Sequence, residues 1–342
     1  MFYYLSETET EGVNAGNKAR NDVEKILKKR NDSCAVKTLT LGKEMKHGNR
    51  VRLFIKTQFY WRKIKKISQN SIIFIQYPLQ VKFDNSNKVL VYNYFLKKLY
   101  SRFRVIILIH DLSDLRGDSK HDSYLDLKNA YYIICHNMAM KSYLENKGIK
   151  SSKLISLQIF DYLASKENIS NHYKDKATLC FAGNLQKSQF IYNLPLSVRK
   201  LGINLYGNGY TGKIEGIHYL GTFGSEKISS VIRGKFGLVW DGKDYKKCVG
   251  KIGNYLRYNN PHKISMYLVA NMPVIIWSKA AEANFVKENN IGILVDSLDE
   301  LPNILNNLTE KKYEVMLENV KKIKSLLQKG NYLTSALDNI KL

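Results

Sequence analysis

Arg104-Val105-Ile106-Ile107-Leu108-Ile109-His110-Asp111 decides the architecture of this chain. Its apolar run has strand length and does not alternate with polar residues, so it reads as a strand covered on both faces. Ser71-Ile72-Ile73-Phe74-Ile75-Gln76 repeats the pattern, and Pro78 closes it. Strands and helices alternate around these two runs. Met1 to Leu5 reads as a strand, and Asn17 to Arg30 as a helix with Val23, Ile26 and Leu27 on one face. Cys34 to Leu41 reads as a strand, Lys88 to Phe103 as a helix and Ala130 to Cys135 as a strand. Asn137 is placed to cap a helix that runs to Lys147 and stops at Gly148. The alternation predicts an α/β fold, a parallel sheet with helices on both faces.

The second half repeats the theme. Ala177 to Ala182 leads into Gly183-Asn184, Asn204 to Gly207 is a short strand, and Phe236 to Trp240 ends at Asp241-Gly242. Pro261 to Asn271 reads as a helix, Pro273 to Trp277 and Ile291 to Val295 as strands. The polar stretch Ser165 to Lys176 reads as a linker. Two Rossmann-like domains are therefore expected, over 1–165 and 176–320, with 321–342 forming a helical tail. In such sheets ligands bind outside the carboxyl ends of the strands.

Bulk composition narrows the function. A chain of 342 residues fits two domains. No apolar stretch spans a bilayer and no secretory leader is visible at Met1, so a cytoplasmic protein is expected. Cys34, Cys135, Cys180 and Cys248 form no C-x-x-C pair and read as buried free thiols, and no ligand spacing suggests zinc. A net charge of +24, from 54 Lys+Arg against 30 Asp+Glu, attracts polyanions: nucleic acid, an anionic membrane or a phosphorylated substrate. No zinc-finger, helix-turn-helix or RNP pattern supports nucleic acid. Arg62-Lys63-Ile64-Lys65-Lys66, beside Tyr60 and Trp61, has the composition of an interfacial membrane patch or of a solvated helix face.

The chemistry concentrates in a few loops. In Asn259-Asn260-Pro261-His262-Lys263, Asn260 is expected to cap a helix with Pro261 in its first position. Lys263 then falls in the first turn, where its charge opposes the helix dipole unless an anion lies between. A phosphate answers that need. Gly183-Asn184 allows close backbone approach, and Lys187 supplies a second cation. Gly16 and Lys18, after the first strand, let the ligand meet the other domain. Trp240 and Asp241 lie at a further strand end. His110, Asp111 and Asp114 follow the best strand; Asp111 is the first choice for a general base, with His110 and Asp114 behind it. There is no G-x-G-x-x-G fingerprint and no suitably placed D-x-D pair, so an oxidoreductase finds no support and a metal-bridged diphosphate is not expected.

These segments resemble bacterial galactofuranosyltransferases of O-antigen and capsule synthesis, and more distantly the glucosyltransferases that extend glycans on serine-rich streptococcal adhesins. The resemblance runs through Ala15-Gly16, Leu108-Ile109-His110-Asp111, Asp114-Leu115-Arg116-Gly117, Ile159-Phe160-Asp161-Tyr162-Leu163 and Ala182-Gly183-Asn184-Leu185. It continues through Tyr219-Leu220-Gly221-Thr222-Phe223, Phe236 to Gly242 and Asn259 to Lys263. It implies a GT-B fold whose last helix crosses back to the first domain, and inverting, metal-independent transfer of galactofuranose from its UDP-sugar to a glycan. No cofactor is implied. Lys187 and Lys263 match the diphosphate-binding positions, the first with lysine where the adhesin branch has arginine, a point charge in place of a planar fork. A lipid-linked acceptor and peripheral contact with the inner face of the plasma membrane are expected. Homo-oligomerisation is left open. A glucosyl or galactopyranosyl donor is the alternative.

Overall fold

The structure is a computed structural model describing residues 1–6, 15–37, 58–59, 61–79, 95–117, 121–164 and 177–341. The expected linker, 165–176, lies outside the described residues, as do 38–41 of the expected second strand and 88–94 of the expected helix before β4.

The described residues form two six-stranded parallel sheets. The first holds β1 (Phe2–Ser6), β2 (Ser33–Lys37), β3 (Ile72–Tyr77), β4 (Arg104–Ile109), β5 (Tyr132–Cys135) and β6 (Leu154–Ser156), in the order β2-β1-β3-β4-β5-β6. The second holds β7 (Leu179–Ala182), β8 (Ile203–Tyr206), β9 (Ile217–Tyr219), β10 (Phe236–Val239), β11 (Val274–Trp277) and β12 (Gly292–Val295), in the order β12-β11-β10-β7-β8-β9. In this second sheet the order reverses between β7 and β10. A crevice opens there at the strand ends, which is where doubly wound sheets hold ligands.

The period of two in β3 and β4 explains the first sheet. Val105, Ile107 and Ile109 enter one core with Ile73 and Ile75, while Ile106 and Leu108 enter the other with Ile72 and Phe74. Each fully buried aliphatic side chain contributes about 1.5–3 kcal/mol, so these unbroken runs stabilise both layers. Among the cysteines, Cys135, Cys180 and Cys248 are buried as expected, but Cys34 sits on the edge strand β2 and is exposed.

Helix α1 (Ala15–Lys28) starts two residues before Asn17, so Gly16 belongs to a helix rather than to the expected loop. Helix α2 (Met138–Asn146) is capped as expected, with Asn137 Oδ1 accepting from Met140 N at 3.0 Å. Helix α3 (Lys263–Val269) is shorter than expected and has His262, not Asn260, in its cap position. Helix α4 (Glu310–Lys329) packs Tyr313, Val320, Ile323 and Leu327 on the second-domain core, so the chain does not leave that domain at residue 321. It leaves at Gly330. Helix α5 (Asn331–Asp338) then places Leu333, Ala336 and Leu337 in the first-domain core beside Phe2, Tyr4 and Ile26. The buried Asp161 carboxylate caps this crossing helix, accepting from Leu333 N at 2.8 Å and Tyr332 N at 3.2 Å. Among the described residues no helix is long and apolar enough to cross a membrane.

Gly330 holds φ at +77°, and a Cβ there would lie 2.6 Å from the Ile26 side chain. Gly330→Ala is therefore expected to lower the unfolding free energy by about 1–3 kcal/mol, read from urea denaturation. An unchanged midpoint would show that the crossing tolerates a side chain.

Candidate active site

The ends of β7, β8 and β10 converge on a cavity of about 450 Å³ between the domains. Gly183 follows β7 and Gly207 follows β8. At Gly207, φ is +128° and a Cβ would stand 1.8 Å from the Gly183 carbonyl oxygen, so only glycine lets the two loops meet. Asp241, just after β10, and Lys263, opening α3, complete the second-domain wall. Lys18, Arg116 and Tyr162 line the cavity from the first domain.

Each of the three cations already has a carboxylate. Lys263 Nζ lies 3.0 Å from Asp241 Oδ1, 3.3 Å from the Trp240 carbonyl oxygen and 4.8 Å above the Phe181 ring. Arg116 Nη1 lies 3.1 Å from Asp111 Oδ2. Lys18, only 1% exposed, holds Asp22 at 2.6 Å and reaches Glu226 of the second domain at 3.3 Å. Burial raises Asp22 to about 6 against the pull of Lys18. The lysine that opens α3 thus has a carboxylate beside it.

Asn260 has a different role from the cap expected of it. Its Nδ2 donates to the carbonyls of His136 at 2.7 Å and Gln158 at 2.9 Å, and its Oδ1 accepts from Asn137 Nδ2 at 2.6 Å. Its backbone N donates to His136 Nδ1 at 2.9 Å. The residue is a tie between domains, because those partners engage the whole amide and leave none of it to cap α3. Pro261 follows it, half-buried, and its carbonyl accepts from Ile264 N. His262 reaches the cavity wall, its ring 5.1 Å from that of Tyr162. Its Nε2 is buried without a hydrogen-bond partner among the described residues, and burial lowers its pKa to about 3. Asn259 Oδ1 is likewise buried and unpartnered among the described residues.

Other expected site residues separate. Asn184 lines the cavity, but its Oδ1 accepts from Lys187 N at 3.1 Å in a tight turn that leaves Lys187 exposed and outside the cavity lining. Trp240 is wholly buried in the second-domain core and contributes only its carbonyl to Lys263. His110 stacks on Phe160 at 5.3 Å and bonds Gln76 Oε1 at 2.7 Å. Burial, with Arg20 nearby, holds its pKa well below the usual range, which makes it a weak base. Asp114 accepts from Ser123 Oγ at 2.5 Å and Ser123 N at 3.1 Å, a structural role in the turn before Tyr124–Leu127. Asp111, half-exposed beside Arg116, is the candidate base that stays next to the cavity.

Tyr162, Arg116, Gly207, Asn208 and Thr222 line the cavity without having been chosen from sequence. Gly207-Asn208 could have been found by the reasoning applied to Gly183-Asn184, since both follow a strand directly. Tyr162 carries no such signal; its hydroxyl donates to the Ser225 carbonyl at 3.0 Å across the domain boundary.

Two parallel-sheet domains closing on a basic cavity at a strand-order switch define a glycosyltransferase of the GT-B class. The chain matches the N-terminal domain model of the glucosyltransferase 3-like family over residues 2–159 and its C-terminal domain model over 179–340, and it belongs to that family. It is 37% identical over 244 residues to the beta-1,6-galactofuranosyltransferase WbbI of Escherichia coli K12, covering 70% of this chain and 72% of the relative. It is 26% identical over 240 residues to glucosyltransferase 3 of Streptococcus gordonii, covering 68% and 70%. Among solved structures, the apo lipopolysaccharide outer core galactosyltransferase WaaB superposes with a TM-score of 0.60 at 10% identity, covering 99% of each chain. Sucrose-phosphate synthase of Thermosynechococcus elongatus does so at 0.56 and 12% identity, covering 98% and 96%.

The interdomain tie has a pH signature. His136 is buried, its Nε2 meets the Ile109 carbonyl oxygen at 3.1 Å, and its Nδ1 accepts from Asn260, so only the neutral ring fits. Its folded pKa falls to about 4, chiefly by burial. The unfolded histidine gains a proton near pH 6.5, so the stability this residue supplies at neutral pH is lost as pH falls from about 6.5 to 4. The stability difference between wild type and His136→Asn should therefore shrink across that window by up to about 3 kcal/mol. A pH-independent difference in denaturant unfolding would contradict this account.

Proposed function

We propose that the protein is an inverting, metal-independent galactofuranosyltransferase. It moves galactofuranose from UDP-galactofuranose to a sugar hydroxyl of a lipid-linked oligosaccharide in cell-surface polysaccharide synthesis, of the O-antigen or capsule kind. The observation that carries this reading is the cavity at the β7–β10 switch, where Lys263 faces Arg116 and Lys18 across the domain boundary. The 37% identity to a galactofuranosyltransferase supports the donor. In this reading the diphosphate takes the place of Asp241 beside Lys263, and the glycine pair Gly183 and Gly207 lets it lie against the backbone. Cations held in place before reaction stabilise the charge that builds on the leaving diphosphate. Asp111, held by Arg116, accepts the proton of the incoming hydroxyl. One base on the acceptor side with displacement of the diphosphate inverts the anomeric centre. The enzyme would work in the cytoplasm, at the inner face of the plasma membrane where its acceptor resides. The family description and the streptococcal relative make UDP-glucose the competing donor.

Lys263→Ala should weaken UDP binding by about 10- to 150-fold, the loss of one charge-assisted contact of about 1.5–3 kcal/mol, measured by calorimetry. Undiminished affinity would move the diphosphate elsewhere. Asp111→Asn should cut kcat by about 100-fold or more while UDP affinity holds, and equal turnover would reject Asp111 as the base. Competition between UDP-galactofuranose and UDP-glucose, with anomer analysis of the product, decides donor and stereochemistry.

A further inference from the structure

One surface of the first domain is unused by this chemistry. Residues 58–71 and 95–104 together carry Arg62, Lys63, Lys65, Lys66, Lys97, Lys98, Arg102 and Arg104, and no aspartate or glutamate. A solvated face ordinarily mixes both signs of charge. The two segments are built as one platform. Ile64, Ile67, Leu96, Leu99 and Phe103 point inward to a shared core. Trp61 wedges edge-on against Phe95 and Phe103, with Lys98 Nζ 5.3 Å from its ring. Arg102 Nη2 clamps the segments by donating to the carbonyls of Lys65 at 2.8 Å and Ile67 at 2.9 Å. The outer side exposes Arg62, Lys63, Lys65, Lys66, Lys97 and Arg104. Among the described residues no carboxylate pairs with Arg62, Lys65, Lys66, Lys97 or Arg104. Phe59 stands 60% exposed at the rim, with the Arg62 guanidinium 5.6 Å from its ring.

We infer that this acid-free platform of residues 58–71 and 95–104 docks the enzyme on an anionic lipid bilayer, with Phe59 entering the headgroup layer. The inference rests on the reading of a membrane-borne acceptor and assigns the surface that meets the membrane. Basic side chains near an anionic leaflet each add about a tenfold or smaller gain in partition, and several together make a stable but salt-sensitive contact. A single aromatic at the rim suits the boundary between headgroups and acyl chains, where rings settle. The cavity-lining residues lie on other segments, so docking leaves the cleft to the two substrates.

The test is co-sedimentation of the full chain with vesicles of mixed phosphatidylglycerol and phosphatidylcholine, compared with pure phosphatidylcholine. Binding should require the anionic lipid and fall with added salt. The triple variant Arg62→Glu, Lys65→Glu, Lys66→Glu should bind about 100-fold or more weakly, and Phe59→Ser about tenfold. Matching charge reversals at the exposed Lys311, Lys312 and Lys322 on α4 control for net charge and should cost far less. Thermal unfolding and UDP affinity of the triple variant should match wild type, which separates docking from folding and from the donor site. Vesicle binding that survives the triple change, or falls equally in the α4 control, overturns the assignment. So does tight binding of a random-sequence RNA duplex that the triple variant abolishes while wild type ignores vesicles. Absent sugar transfer with vesicle binding as expected would instead sink the enzymatic reading alone.

Discussion

The Asn260 side chain is the constraint on which the arrangement of the two domains turns. A primary amide offers two donors and an acceptor, and here each meets a first-domain partner, on His136, Gln158 and Asn137, the bonds to His136 and Asn137 being buried. Leaving either buried bond unmet would cost about 1–3 kcal/mol, so the tie favours one relative pose of the domains. Asn137 serves both sides of the tie, because its Oδ1 caps α2 while its Nδ2 bonds Asn260 and the Tyr258 carbonyl oxygen. Three residues later the same stretch of chain delivers Lys263 to the cavity. Domain orientation and placement of the cation are thus a single geometric fact.

The cavity combines this tie with the parallel sheets. Strand ends at a switch in sheet order leave a gap that neither neighbouring loop fills, and Gly207 against Gly183 lets those loops close to backbone contact. Aromatic and imidazole rings pack where the domains meet: Phe160 stacks on His110 behind the cavity, and Tyr162 of the first domain lies tilted against His262 of the second in its wall. Burial keeps these histidines neutral, so positive charge at the cleft comes from Lys18, Arg116 and Lys263 rather than from rings that titrate near pH 7.

Much of the fold was legible in the chain because its signals are local. Unbroken runs such as Val105 to Ile109 are what a two-sided strand requires, and Asn137 before Met138 is a cap that needs no tertiary help. Asn260 was misread for the same reason: a good cap residue before a proline looks local, whereas its partners lie more than 100 residues away. Lys187 lies outside the cavity lining, because a strand-end lysine says nothing about which way the following turn throws it. Lys18, Lys263 and Asp241 were found, but the pairing of the lysines with Asp22, Glu226 and Asp241 was legible only in three dimensions. Tyr162 lies in a segment that carries the family resemblance but was not singled out as a site residue; its position beside Lys18, at 4.8 Å from the ring, follows from how the domains meet.

The carboxylates beside the cavity cations have a consequence for turnover. In the proposed reaction the diphosphate that arrives at Lys263 enters an exchange, because Asp241 already pairs with the lysine and must be displaced. Among the described residues, each of the cleft cations Lys18, Arg116 and Lys263 therefore rests beside a carboxylate. The same exchange runs in reverse once the sugar has gone. Asp241 then acts as a tethered competitor at high local concentration, returning to Lys263 as the spent nucleotide departs. A pocket built from ready-made ion pairs trades some grip on its ligand for a faster way of letting go.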